Sequence, residues 1–559
     1  MKRIINTVLI LATMSSVTFT LNSCQDALDI VQPGQLEEKD VYTSVANLND
    51  VLIGSVYGQL DTIDEIYFTA VFTDEVKPGN GSGGQEYDLH RFFLDPSTSV
   101  VNGGSVSTGS SDGIWLTHYR VINRINRLLE GAKNITPKTT AETAQYNNIL
   151  AQARAIRAFC YVQLESYFST DMKDPNALGV ILLKDVPATD AKLPRATNKD
   201  VYDFIVSDLD YARGILTKTT GRKYYVDLVF VNALTARFNL YRGNTALAKQ
   251  YAKDVIDNSS LSLTQATPIT GTNLSVPLTE ADGSPYQSGD YKFPTPTAKW
   301  NIAFYGGTTT TNGNGIVGGS FNPYRRMWAD TDNGEVIFSL NRLALGAGGS
   351  IGSRWNTNGS LATGTPMWFL GRNLFNLVYD PASDKGDIRR YTYIDPTSVI
   401  NNNYQSQGSL TDRLVIDKYP GKVGAAVRND VKVFRLSEMY FILAEAEVAA
   451  GNLSQAQALI QQVRVARNYL GTATTPTYGT AQAAYADILK ERRIELGLEG
   501  HRYIDLKRLA TVSGVTMDRN AKDDIVTVSN LPNNSYKYTL PIPINETAGN
   551  PSIQQNPGY

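Results

Sequence analysis

Apolar residues recur at intervals of three and four along much of the first half of the chain. Trp115, Tyr119, Ile122, Asn126 and Leu129 form one such stripe. Tyr146, Ile149, Ala153, Ile156, Cys160, Leu164 and Tyr167 form another. Each spacing predicts an amphipathic helix. Ala151, Ala155 and Ala158 are interspersed in the second stripe and let a neighbouring helix approach closely. Thr197-Asn198-Lys199-Asp200 reads as a capping box, with the helix expected over Val201–Ile215.

Two later segments share one pattern. Ala236-Arg237-Phe238-Asn239-Leu240-Tyr241-Arg242-Gly243-Asn244 is followed by Ala246 and Ala248. Ala444-Glu445-Ala446-Glu447-Val448-Ala449-Ala450-Gly451-Asn452 is followed by Ala456. In both, a small-residue helix ends at Gly-Asn and a second helix begins, because Gly suits the left-handed conformation that closes a helix. The unit is similar to the helix–turn–helix of tetratricopeptide repeats. The copies are far apart in sequence, so the chain is expected to bring the pairs together around a long insertion.

That insertion is expected over 261–430. Gly, Thr, Asn and Pro cluster there, as in Gly306-Gly307-Thr308-Thr309-Thr310-Thr311-Asn312-Gly313-Asn314-Gly315, and Val336-Ile337-Phe338-Ser339-Leu340 reads as a short strand. Trp300, Trp328, Trp355 and Trp368, four of the five Trp, fall in it. That concentration argues against disorder, because disordered segments are poor in aromatics. The fold class that follows is mostly α: tetratricopeptide-like helix pairs forming a scaffold, with a long loop-rich insertion carrying short strands.

The first residues point to a membrane. Lys2 and Arg3 precede an apolar stretch around Val8-Leu9-Ile10-Leu11-Ala12, which ends at Leu21-Asn22-Ser23-Cys24. This order is that of a bacterial lipoprotein signal over residues 1–23, with Cys24 as the acylated lipid anchor; an ordinary secretory signal with a chance Cys nearby is the alternative. Thr13, Ser15, Ser16, Thr18 and Thr20 interrupt the stretch, so it does not read as a spanning helix. Cys160 then has no disulfide partner, and a buried inert thiol is expected. A net charge of −2 argues against nucleic acid as a partner. His90, His118 and His501 show no metal-ligand spacing, so neither a metal nor a cofactor is expected.

Two stretches suggest catalysis and are better read otherwise. Gly348-Gly349-Ser350-Ile351-Gly352 matches a nucleophile elbow, but a Gly-rich loop precedes it in place of a strand. Asp330-Thr331-Asp332-Asn333-Gly334-Glu335 hints at a calcium loop, but a Glu at the twelfth position is missing, and a turn before the strand at Val336 is expected. The run Glu491-Arg492-Arg493-Ile494-Glu495-Leu496-Gly497-Leu498-Glu499-Gly500-His501-Arg502 combines acid, base and cation beside helically spaced Ile488, Ile494 and Leu498. Ion pairing among helices accounts for it without a nucleophile.

This run, with Arg435-Leu436-Ser437-Glu438-Met439-Tyr440 before it and Leu540-Pro541-Ile542-Pro543, Asn550-Pro551 and Gln555-Asn556-Pro557-Gly558-Tyr559 after it, resembles the RagB/SusD family. Arg157-Ala158, Leu164, Gly179-Val180, Pro187 and the segment from Thr197 to Leu209 are similar to its N-terminal half. The resemblance implies a helical region over 24–260, a ligand-binding insertion over 261–430, and a C-terminal helical region with a Pro-rich tail over 431–559. Glu438, Glu445, Arg492, Arg493 and Glu499 would build the frame as ion pairs. Pro541, Pro543, Pro551 and Pro557 would hold the tail extended along it.

The resemblance further implies a non-catalytic lipoprotein, surface-exposed on the outer membrane of one of the Bacteroidota. It would bind an oligosaccharide or polysaccharide and deliver it to a SusC-like TonB-dependent transporter. A RagB-like receptor for peptides is the alternative. Sugar rings pack a C–H face on aromatic rings and offer hydroxyls to polar neighbours. The expected ligand-binding residues are therefore Trp300, Tyr305, Tyr324, Arg325, Trp328, Trp355, Asn356 and Trp368. Asp74 joins them from the loop Asp74–Asn80, since similar N-terminal loops line the pocket in the family. Large aromatics also anchor loops to a core, so the exposure of these rings separates the two roles.

Overall fold

The computed structural model describes residues 41–559 apart from 82–86, 97–110, 220, 222, 267–290, 306–319, 344, 347, 356–365, 408–410, 423–424, 426–427 and 525–529. The signal and anchor expected over 1–24 lie outside the described residues, as does Asn356.

Helices dominate. The first part carries α1 (Val45–Val51), α2 (Ile63–Phe72), β1 (Val76–Pro78), α3 (Ser111–Ala132), α4 (Thr140–Phe168), β2 (Leu178–Ile181), β3 (Arg195–Thr197), α5 (Asn198–Arg213), α6 (Leu228–Tyr241) and α7 (Thr245–Asn258). From 261 to 430 the elements are short: α8 (Ala298–Tyr305), α9 (Pro323–Trp328), β4 (Val336–Leu340), β5 (Trp368–Leu370), α10 (Arg372–Val378) and α11 (Arg389–Tyr393). Then come β6 (Val431–Arg435), α12 (Leu436–Ala449), α13 (Leu453–Arg467), α14 (Ala481–Glu495), α15 (Arg502–Ser513) and α16 (Ile544–Gly549).

Side-chain caps explain several helix starts. Thr139, Thr197, Asp227, Asn244 and Thr480 each accept the backbone N–H three residues on, satisfying a donor the helix leaves open. At Thr197 the hydroxyl also donates to Asp200 at 2.7 Å. The helix accordingly begins at Asn198, three residues before the expected start.

The two Gly-Asn hairpins are α6–α7 and α12–α13. Gly243 and Gly451 close the first helix of each with φ of 81° and 82°. Helix α7 packs on α12, where Lys249 pairs with Glu447 at 2.9 Å. Helices α6 and α12 are joined by Arg237, which donates to both oxygens of Glu438 at 2.7 and 2.6 Å. Phe230 through Tyr241 are buried, so α6 is wrapped on all sides.

Two of the three two-stranded antiparallel sheets among the described residues tie the insertion to the frame. Strand β5 pairs with β1 (Val76 opposite Leu370, Pro78 opposite Trp368), and β4 pairs with β6 (Val336 opposite Arg435, Leu340 opposite Val431). The third sheet joins β2 and β3. One hydrophobic cluster runs from Val45 to Ile553. Cys160 is free and buried within it.

The tail follows the helical body. Leu540 donates its N–H to Tyr167 O at 2.9 Å, and Asn556 donates to Phe168 O and Leu540 O at 2.9 and 2.7 Å. Lys507 donates to Ser166 O and Ser169 O, closing the same C-terminal end of α4. The tail is not wholly extended as expected: α16 forms between Pro543 and Pro551, where the five residues after Ile544 contain no proline. Arg519 closes α2, donating to Thr73 O at 2.7 Å, Phe72 O at 2.8 Å and Val71 O at 3.1 Å. No described helix is long and apolar enough to cross a membrane.

Candidate functional site

The charged run sits at the junction of α14 and α15. Glu491 and Glu495 lie one turn apart, so their carboxylates leave the same face of α14. Glu499 follows in a turn where Leu498 and Gly500 take φ of 63° and 86°. Glu495 accepts from Arg435 and Arg467 at 2.8 Å and from Arg389 at 3.1 Å. Glu335, just before β4, accepts from the same Arg435 and Arg467 at 2.8 Å. Glu499 accepts from Arg435 and Lys418 at 2.7 Å. All of these side chains are buried.

Burial opposes the charge on Glu495, but Arg467, Arg435 and Arg389 outweigh it and hold its carboxyl well below the usual range. Glu499 is lowered in the same way, burial being overcome by Arg435 and Lys418. A carboxylate so held stays ionised and is a poor proton donor. Burial, with Arg237 and Arg492 nearby, keeps the imidazole of His501 well below its ordinary value. The cavity beside His501, lined also by Glu65, Arg237 and Glu499, holds about 30 Å³. That is room for about one water molecule and not for a substrate. The cluster is a frame that orders α12 to α15 against β4 and β6. Arg492 with Asp505 (2.7 Å), both buried, and half-buried Arg508 with buried Glu445 extend it.

The described aromatic candidates, with Arg325, fall into three groups. Trp300 stacks on Phe304 with centroids 4.7 Å apart and meets Tyr391 at 4.9 Å. Beside it, Tyr305 donates to Ile394 O at 3.0 Å and lies 5.0 Å from the Arg325 guanidinium. Arg325 itself donates to Asp417 Oδ2 at 2.6 Å. In the second group, Trp328 lies under three cations: Lys418 at 4.4 Å, Lys432 at 5.0 Å and Arg435 at 5.2 Å. Tyr324 sits next to it, below Arg467 at 4.7 Å. In the third, Trp368 donates its indole N–H to Tyr67 Oη at 2.8 Å, and Trp355 packs on Tyr67 at 5.5 Å.

The expectation of ring faces open to a ligand is corrected for these indoles. Trp300, Trp328 and Trp368 are 0% exposed and Trp355 1%. Tyr324 and Arg325 are buried as well. Each indole gains more by removing its large apolar surface from water than by facing it. Asp74 is corrected too. It is buried and accepts from Arg502 through both oxygens at 2.8 Å, with Arg493 at 3.3 Å. Burial raises its pKa, and Arg493 and Arg502 reverse that and hold the carboxyl far below its ordinary value. Among the described candidates, Tyr305 alone is half-buried.

The nucleophile-elbow pattern lies in a bend, followed by one helical turn at Gly352–Trp355. Asp330 is engaged by the protein, accepting from Asn429 at 2.9 Å, Asp430 N–H at 2.8 Å and Lys432 at 2.8 Å. The turn expected before β4 is present at Asn333–Val336. Sequence reading missed Glu335, Arg389, Lys418 and Arg467 as members of the ionic frame. They come from four separate segments, and no local spacing joins them. It also read Trp115 and Tyr119 purely as a core face, whereas both line a surface cleft with Asn123, Arg127, Lys192 and Glu546.

Two family models match the chain: one described as "Starch-binding associating with outer membrane" over 95–240, and one described as "SusD family" over 296–559. A SusD-like protein of Formosa agariphila is 23% identical, with 97% of each chain covered. The fold matches a solved SusD superfamily protein of Bacteroides thetaiotaomicron with a TM-score of 0.67, at 20% identity, covering 92% of this chain and all of that one. It also matches a solved laminarin-binding SusD-like protein with a TM-score of 0.59, at 20% identity, covering 92% and 99%. With these two family models matched over 95–240 and 296–559, the chain belongs to the SusD/RagB family.

Proposed function

We propose that the protein is a non-catalytic, outer-membrane-associated lipoprotein that binds a glycan and hands it to a SusC-like TonB-dependent transporter, with Cys24 as its lipid anchor. The observation that carries this reading is the pair of family matches, one described as starch-binding and associating with the outer membrane. The solved laminarin-binding protein of the same fold supports a glycan over a peptide. The ionic frame supports a non-catalytic role, because its carboxylates are committed to guanidiniums and its histidine is neutral.

Within the insertion, the buried indoles hold the loops in place, and direct contact with ligand falls to Tyr305 and Asn356. Residues 261–430 act as the ligand-selecting unit on a frame made by 24–260 and 431–559. Affinity electrophoresis of the full chain through gels containing laminarin, soluble starch, xylan, mannan or pectin tests the reading. Retardation by one or more of these glycans is expected. Free migration in all of them, with measurable binding to a peptide mixture, would replace the glycan reading with the RagB-like one.

A further inference from the structure

A cleft of about 470 Å³ opens on the frame, and no residue of 261–430 lines it. Three segments distant in sequence build it: the outer face of α3, the β2–β3 connection from Pro187 to Leu193, and α16. The volume falls within the ordinary range of small-ligand clefts.

Trp115 and Tyr119 form the floor, with ring centroids 4.7 Å apart. Trp115 is sealed and Tyr119 half-buried, so Tyr119 supplies the accessible ring edge. The indole N–H of Trp115 donates to Glu546 Oε1 at 3.1 Å, which fixes that carboxylate and leaves its second oxygen to accept from a ligand. Tyr119 donates to Ile181 O at 2.7 Å, which locks its ring. The walls are fastened to each other: Lys192 donates to Gly549 O, and Asn550 donates to Leu193 O at 2.7 Å. Arg127, held by Asn123 Oδ1 at 3.1 Å, completes the rim.

The chemistry is that of a polyol site. A ring edge and the apolar Ile181 and Leu183 offer surface for C–H groups. Amide, carboxylate, ammonium and guanidinium groups surround it, so donors and acceptors are both at hand for vicinal hydroxyls. The floor and walls are pre-organised by their own hydrogen bonds, which lowers the ordering cost of binding.

We propose that this cleft is an additional saccharide-contact site, taking a short run of pyranose units apart from the insertion. The proposal rests on the glycan-binding reading above and adds a place to it.

The test uses the full chain labelled with ¹⁵N and titrated with laminari-, malto-, xylo- and manno-oligosaccharides, and with an acidic and a basic tripeptide. The Trp115 indole N–H resonance, assigned through Trp115→Phe, reports on the cleft alone. It is expected to shift with at least one oligosaccharide, and Arg127→Ala with Lys192→Ala is expected to weaken that titration ~tenfold or more. An oligosaccharide that binds the protein without moving the Trp115 resonance overturns the cleft and leaves the glycan reading standing. Tripeptides that move it where no oligosaccharide does overturn the saccharide class. Binding of none of the sugars removes both readings together.

Discussion

Asp74 and Arg502 meet in a two-pronged pair, each carboxylate oxygen 2.8 Å from a guanidinium nitrogen. One residue precedes β1 and the other opens α15, so the contact closes the first part of the chain onto the last. Asp518 N–H adds a third hydrogen bond to the same carboxylate at 2.8 Å.

Asp74→Asn should therefore act on stability rather than on ligand affinity. Leaving Arg502 and Arg493 buried without their anion should cost about 3–5 kcal/mol. Thermal unfolding checks this, and glycan affinity of the folded fraction should match that of the parent chain.

Glu495→Gln should be at least as damaging, because three guanidiniums converge on that carboxylate. The same group sets an acid limit. Its folded pKa lies well below the unfolded one, so its contribution is present above the ordinary carboxylate range near ~4.3 and is lost as pH falls through the folded value. Glu491, Glu499 and Asp505 shift in the same direction. The parent chain should thus lose stability steeply on acidification below that range, and Glu495→Gln should lose less between neutral and acid pH. Denaturant melts at stepped pH measure the difference.

Glu75 has the opposite sign. Burial pushes its carboxyl up to about 8, although Leu498 N–H donates to it at 3.1 Å. Between the unfolded value and about 8 the folded state binds more protons, so stability falls as pH rises through that window. Glu75→Gln mimics the protonated form. It should match the parent near pH ~5 and be increasingly more stable up to pH ~8, at ~1.4 kcal/mol per pKa unit as an upper bound. A melting series across that range reads the widening gap.

Every indole of the chain is buried, Trp115 included. Iodide should quench native tryptophan emission weakly, with full quenching only after unfolding. Trp355→Ala or Trp300→Ala should cost about 3–5 kcal/mol.

Gly451→Ala tests the hairpin reading. No atom lies within 4 Å of the added methyl group, so the loss reports the left-handed backbone alone and should be ~1 kcal/mol. The equivalent change at Gly243, where a Lys173 side-chain carbon comes within 3.4 Å, should cost at least as much.

The helices and the paired hairpins were legible because spacing and caps are local. Tyr146 to Tyr167 lies on one helix as its apolar stripe requires, and both Gly-Asn steps end a helix as their chemistry demands. The family motifs around Arg435, Glu491 and Asn556 were readable for the same reason. Exposure was not. A Trp in a Gly-rich stretch has the same local signature whether its ring meets a sugar or a core, and Trp328 is buried by Lys418, Lys432 and Arg435, none of them near it in sequence. The burial of Asp74 was not readable because its partners lie beyond position 490. The cleft at Trp115 escaped notice because its other wall belongs to the tail.

The order of synthesis meets a difficulty in the closure of α2 by Arg519. Helix α2 emerges early from the ribosome, but the guanidinium that satisfies its last carbonyls is made more than four hundred positions later. The carboxylate of Asp74 likewise waits for Arg502. Until then an apolar helix and an unpaired anion must stay in a solvated, unfinished state, so folding of the full chain should be slow.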